Sequence, residues 1–162
     1  MNKNPFTAYW PLISLVLIAV LAALAFTHGI GGSGFQWMHY FMGIVLCQFA
    51  MLKIFHPAGF AEGFQMYDLL AMRAPLYAHA YPFIELALGL AYLGFLFPLF
   101  TYIATIAITF IGAVGVITAL KKGLDLRCAC MGTVLNVPLS TVTLTEDIGM
   151  GVMALILLLR SI

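Results

Sequence analysis

The chain alternates long apolar runs with short polar interruptions. Residues 8–27 (AYWPLISLVLIAVLAALAFT) carry no charge, and a run of about 20 apolar residues is the length of a helix that crosses the hydrocarbon core of a bilayer. Ala23-Leu24-Ala25 resembles a signal-cleavage site. The run exceeds a signal core of about 7–15 residues, so a retained helix is the expectation. HGIGGSG (28–34) reads as a helix-breaking turn. A second span follows over 35–55, with Trp37 and Tyr40 suited to an interfacial belt and Lys53 able to reach the headgroups.

Residues 56–78 follow another pattern. Phe60, Phe64, Tyr67 and Ala71 recur on one helical face, while Glu62, Gln65 and Asp68 occupy another. The spacing predicts a short amphipathic helix in the membrane interface, stopped by Pro75. A third run, 79–97, carries Glu85 and ends at Pro98, and a fourth covers 99–120. Residues 121–141 read as a polar loop, and a fifth run extends from Leu144 to about Leu159. Thr143 and Glu146 have capping-box spacing at its start, and Asp147 suits the positive end of a helix.

Composition settles the class. Of 162 residues, 64% are hydrophobic and 8% charged, against about 25% charged in a soluble domain. The expectation is an all-α integral membrane protein. A net charge of +1 leaves no electrostatic footprint for nucleic acid. Three cysteines do not make a secreted disulfide framework. Phosphate-binding glycine loops and the motifs of serine hydrolases and zinc proteases are absent. With five spans, Lys3, Lys53, Arg73, Lys121, Lys122 and Arg127 fall on one side and only Arg160 on the other. The positive-inside rule then places the N-terminus and the 121–141 loop in the cytoplasm, as expected for a multi-pass protein of a bacterial inner membrane.

The candidate chemistry is sparse. Cys128 and Cys130 flank Ala129 and follow Arg127, with Lys121 and Lys122 nearby. Neighbouring cations favour thiolate, which is both the nucleophile of disulfide exchange and a ligand for soft metals. A ring closed between them is strained and therefore readily reduced. As a clamp, the two thiolates with the Met131 thioether suit Cu(I) or another soft metal. Two small side chains at a membrane boundary are the third reading. Glu85 inside a membrane segment needs a partner, and Lys53 ends the preceding span on the same side. The pair either fixes helix packing or belongs to a cytoplasm-facing pocket; Tyr67, Asp68 and Arg73, at the same level, read as interfacial anchors or as lining of that pocket. His39 and Cys47 read as core rather than ligands, and the methionines as gap fillers.

Residues 40–93 resemble the MauE branch of the DoxX-like membrane proteins. The likeness rests on Lys53, Phe60, Tyr67 with Leu69 and Leu70, and then Pro82, Glu85, Leu86 and Gly89. Cys128 and Cys130 followed by Gly132 fit as well, so the likeness covers about residues 38–160. It implies a four-helix transmembrane bundle, here within a domain at 35–162. Residues 1–34, an additional transmembrane helix and turn, depart from the family's usual four helices.

The same resemblance implies an association with maturation of a disulfide-rich enzyme subunit in methylamine utilisation, hence a thiol–disulfide role for Cys128 and Cys130. A thioredoxin-like protein would be the partner. Relatives with a similar CACMGT ending are companions of heavy-metal handling systems, which keeps a metal-handling partner open. A helical scaffold without chemistry of its own is the remaining alternative. Membrane lipid surrounds the protein in every case. The aromatics Tyr81, Tyr92 and Phe95 suit a lipid or quinone pocket as well as ordinary core.

Overall fold

The computed structural model describes residues 5–122 and 139–161. Six helices account for nearly all of them: α1 (Pro5–Gly29), α2 (Gly34–Ile54), α3 (Pro57–Gln65), α4 (Pro75–Leu93), α5 (Pro98–Lys121) and α6 (Leu139–Ser161). Among the described residues, Tyr9–Gly29, Gly34–Ile54 and Pro98–Lys121 are long and apolar enough to cross a membrane. Helix α4, at 19 residues, extends about 28 Å at 1.5 Å per residue. Glu85 lies within α4, and Glu146 and Asp147 lie within α6.

Helices α2, α4, α5 and α6 close into a four-helix ring, with the broadest contacts between α2 and α4 and between α5 and α6. Helix α1 lies outside the ring on α2, and α3 packs mainly on α4. The protein is an all-α membrane protein of the expected architecture.

Prolines set the helix starts. Pro57, Pro75 and Pro98 each sit in the first turn of a helix. A helix start has no partner for its first N–H groups, so the donor that proline lacks is not missed there. This corrects the expectation that Pro75 and Pro98 end helices. The amphipathic helix stops at Gln65 rather than continuing to Pro75, residues 66–74 form turns, and Pro75 opens α4. Phe60, Phe64, Tyr67 and Ala71 are nonetheless all buried. The apolar face of α3 is thus turned onto the bundle, with Phe60 and Phe64 against Tyr81 of α4.

Helix α6 likewise begins earlier than expected. Thr143 and Glu146 lie inside it, so they do not cap it. Its buried positions Thr143, Met150, Ala154 and Leu157 fall at the helical spacing of a single face.

The far end of the bundle is sealed by aromatics. His39 is 1% exposed. One ring nitrogen meets the Tyr92 carbonyl at 3.2 Å and the other the Tyr102 hydroxyl at 2.5 Å. Phe95 stacks on the imidazole at 4.3 Å between ring centroids. The tight connection from α4 to α5 holds Phe95 at φ +51 and Phe97 at φ +43, a strained region for large side chains.

Helices α2 and α4 approach most closely at Gly43 and Gly89. A β-carbon on Gly89 would lie 3.0 Å from the Cys47 backbone nitrogen and 3.1 Å from the Gly43 carbonyl oxygen. Backbone cannot yield as a flexible side chain does. Gly89→Val should therefore destabilise the protein by about 1–3 kcal/mol, read as a lower midpoint of thermal unfolding in detergent. An unchanged midpoint would show that the helices are free to separate there.

Candidate functional site

At the end of the bundle opposite His39, the last turn of α2 places Lys53 inside the protein. Its ammonium is held by both carboxylate oxygens of Glu85, at 2.7 and 2.6 Å. The two side chains are 3% and 6% exposed. Buried charge of this kind needs a matched partner, because desolvation costs several kcal/mol per ion. Aromatic faces supplement the pair: the ammonium lies 5.2 Å from the Tyr81 ring centroid and 5.7 Å from that of Phe60. Ring faces carry negative charge density and favour the cation.

Two small cavities adjoin this ion pair. One, of about 20 Å³, is bounded by Tyr81, Glu85, Thr105, Thr109, Glu146 and Asp147, among others. The other, also about 20 Å³, is bounded by Lys53, Tyr67, Tyr81, Gly112, Glu146 and Asp147, among others. Each admits about one water molecule. Tyr81, Glu146 and Asp147 belong to both, so α4 and α6 supply a shared polar wall.

Asp147 is seated by a glycine. A β-carbon on Gly112 would lie 2.8 Å from Asp147 Oδ2, so the absence of a side chain there makes room for the carboxylate. That oxygen is buried with no hydrogen-bond partner among the described residues. On α5, Thr105 and Thr109 donate their hydroxyls to the carbonyls of Thr101 and Thr105, at 2.8 and 2.9 Å.

The structure thus joins Lys53 directly to Glu85 and brings Tyr67 to the same cavity. Asp68 and Arg73 are placed elsewhere. All three of Tyr67, Asp68 and Arg73 lie after α3 rather than within it. Asp68 is 1% exposed and accepts from the N–H groups of Leu70 and Ala71, at 2.9 and 2.8 Å. Burial pushes its carboxyl above the usual carboxylate range, although those two N–H groups pull the other way. It shapes the turn into α4. Arg73 is exposed.

Sequence reasoning missed Glu146 and Asp147 as site residues by reading them as a helix start. Two adjacent carboxylates beside an apolar run were the available signal, since such residues in a membrane helix face its interior. Cys128, Cys130 and Met131 lie outside the described residues. Cys47 is a free thiol packed against Gly89. Among the described residues, no group of three or more His, Cys, Asp and Glu side chains is arranged to hold a metal ion.

A family model described as methylamine utilisation protein MauE matches residues 32–160. No curated protein and no solved structure matches the chain.

The ion pair makes a sharp prediction. Lys53→Met leaves Glu85 buried without its cation and should cost about 3–5 kcal/mol, whereas Lys53→Met with Glu85→Leu should recover most of that loss. Unfolding midpoints of the two variants in detergent measure this. Equal losses in both would mean that the two side chains are not coupled.

Proposed function

The chain belongs to the MauE family of membrane proteins, and from that premise we propose that it serves methylamine utilisation as an accessory component for thiol–disulfide exchange and partner maturation, acting through Cys128 and Cys130. The observation that carries this reading is the sequence Arg127-Cys128-Ala129-Cys130 inside the family-matched region. Cys47, the remaining cysteine, is packed between α2 and α4 and has no second thiol beside it in the chain's order. The pair belongs to the segment that joins α5 to α6. Thr143, one turn into α6, and Gly112, toward the end of α5, bound the cavity beside Lys53. The ends of α5 and α6 that flank this segment therefore lie toward the polar end of the bundle.

The exchange balances without a further reactant. One thiolate of the pair attacks a partner disulfide, forming a mixed disulfide and releasing one partner sulfur as thiolate. The second thiolate then attacks the mixed bond, closing Cys128–Cys130 and releasing the second partner sulfur. Two thiols of this chain are oxidised and one partner disulfide is reduced. The reverse direction loads the pair from a dithiol. The six-to-one distribution of Lys and Arg favours a cytoplasmic position for the pair, and hence a cytoplasmic thioredoxin-like donor.

Thiol trapping in intact cells tests the reading. Cells are acid-quenched and alkylated with a mass tag, with Cys47 replaced by Ala. A mixed population of reduced and oxidised pair, shifting with the state of the thioredoxin system, is the expected outcome. Cys128→Ser and Cys130→Ser should each abolish it. A pair that is always reduced, and shielded from alkylation only when copper is supplied, would replace this reading with a Cu(I) clamp of Cys128, Cys130 and Met131. Function that depends on Lys53 and Glu85 but not on the cysteines would leave only a scaffold.

A further inference from the structure

Asp147 borders three separate spaces. Two are the internal cavities beside Lys53 and Glu85. The third is a groove of about 230 Å³ on the outside of the bundle, between α5 and α6. Phe110 of α5 and Ile148, Val152 and Leu155 of α6 form its walls and are themselves exposed, as lipid-facing side chains of a membrane bundle are. Asp147 keeps some exposure, yet its Oδ2 is buried with no hydrogen-bond partner among the described residues. One carboxyl therefore has water-sized polar space on one side and hydrocarbon on the other. A larger groove of about 460 Å³, between α1, α2 and α6, borders Glu146 instead.

The charges around the two cavities do not balance. Helix α2 supplies Lys53, the turn after α3 Tyr67, α4 Tyr81 and Glu85, and α6 Glu146 and Asp147. Asp68, next to Tyr67, adds to the negative field at Asp147. Helix α5 supplies Thr105, Thr109 and Gly112, none of which titrates. Three carboxyls thus surround one ammonium, and both oxygens of Glu85 are already on it. The threonine protons are committed to main-chain carbonyls, so those hydroxyls cannot donate to a carboxylate. An ionised Asp147 would be a further negative charge beside hydrocarbon, and charge in that position is neutralised or paired. A proton on its carboxyl removes the charge and supplies a donor to a lining rich in acceptors.

We propose that Asp147 is a proton-binding site: its carboxyl carries a proton at neutral pH, exchanges it through the internal cavities, and is open to apolar reagents from the membrane through the α5/α6 groove. Lys53 and Asp147 bound the same cavity, so the ammonium faces the carboxylate left behind when the proton departs. Carboxyls that take up and return protons inside membrane bundles are the working parts of proton relays. The site makes no use of Cys128 or Cys130 and stands apart from the exchange reading.

The probe is dicyclohexylcarbodiimide, an apolar reagent that adds to a protonated carboxyl. The acid proton passes to a carbodiimide nitrogen, and the carboxylate oxygen bonds to the central carbon. The acyl group then shifts from oxygen to nitrogen, leaving a stable N-acylurea that contains the whole reagent. Full-length protein in phosphatidylcholine vesicles is treated, digested and sequenced by mass spectrometry. Asp147 should be labelled in the wild type and in Glu146→Gln. A water-soluble carbodiimide should leave it unmodified. Protonation is required, so the labelling rate should fall about tenfold per pH unit once pH exceeds the point where Asp147 ionises. Val152→Trp narrows the groove from its exposed rim and should slow labelling roughly tenfold, with unchanged helical circular dichroism.

Infrared spectroscopy reads the proton without any reagent. The wild type at neutral pH should show the C=O stretch of a protonated carboxyl, displaced in heavy water and missing from Asp147→Asn. Val152→Trp should retain that band, so the groove and the proton are tested separately even where Asp147→Asn fails to fold. Absence of the band, or labelling that does not fall with rising pH, overturns the proton site. A band that is present while the apolar reagent fails to label Asp147, or labels it no faster than the water-soluble one, overturns the opening to the membrane. Labelling unaffected by Val152→Trp overturns the α5/α6 groove as the route.

Discussion

The ion pair between Lys53 and Glu85 is the constraint around which this bundle is arranged. Neither charge is tolerable alone at this depth, and together they join the end of α2 to the middle of α4 through two hydrogen bonds. The consequence is local as well as global. Because the ammonium sits inside, the chain after α2 must close over it, and α3 does so by laying Phe60 against the cation and Phe64 against Tyr81. The apolar face of that helix is then used against protein rather than lipid. The turn held by Asp68 returns the chain to Pro75 and the start of α4.

In a bilayer the hydrophobic effect does not drive helices together, so close packing and polar contacts must. Both are visible here. Gly43 and Gly89 let α2 and α4 touch through backbone, and Gly112 makes room on α5 for Asp147 of α6. The threonines of α5 return their hydroxyl protons to their own helix, which places polar oxygens in the interior without leaving donors unsatisfied. The outer faces are left to Trp10, Leu17, Phe100, Phe110 and similar side chains, as a lipid environment requires.

Much of the fold is legible in the sequence. Runs of 20 or so apolar residues identify α1, α2 and α5, and the lone carboxylate in 79–97 points to a partnered site. The errors share a physical origin. A proline ends one helix in sequence logic, yet it fits the first turn of the next equally well, and only packing decides which is used at Pro75 and Pro98. The periodicity of Phe60, Phe64, Tyr67 and Ala71 correctly marks a buried face, but it does not require one continuous helix, because turns after Gln65 keep Tyr67 and Ala71 inside. Glu146 and Asp147 were hidden by ambiguity between a helix cap and a membrane-interior carboxylate. Nothing local separates the two; the start of α6 at Leu139 does. The cysteine pair, the strongest chemical signal in the sequence, lies outside the described residues, and its role rests on residue type, family membership and connectivity.

The two ends of the bundle are chemically unlike, and that asymmetry bears on function. At the His39 end the buried ring nitrogens are both matched and the ring is covered by Phe95, an arrangement complete in itself. At the Lys53 end one ammonium is surrounded by the carboxylates of Glu85, Glu146 and Asp147 around two small cavities. A bundle needing only to hold its helices together would be served by the ion pair alone. The additional carboxylates lie on α6, between the ion pair and the two outer grooves, and the matched family region contains all of them. Helix α1 precedes that region and contributes a wall of the groove beside Glu146. The shared bundle thus holds the polar cluster, and α1 adds an apolar wall beside it.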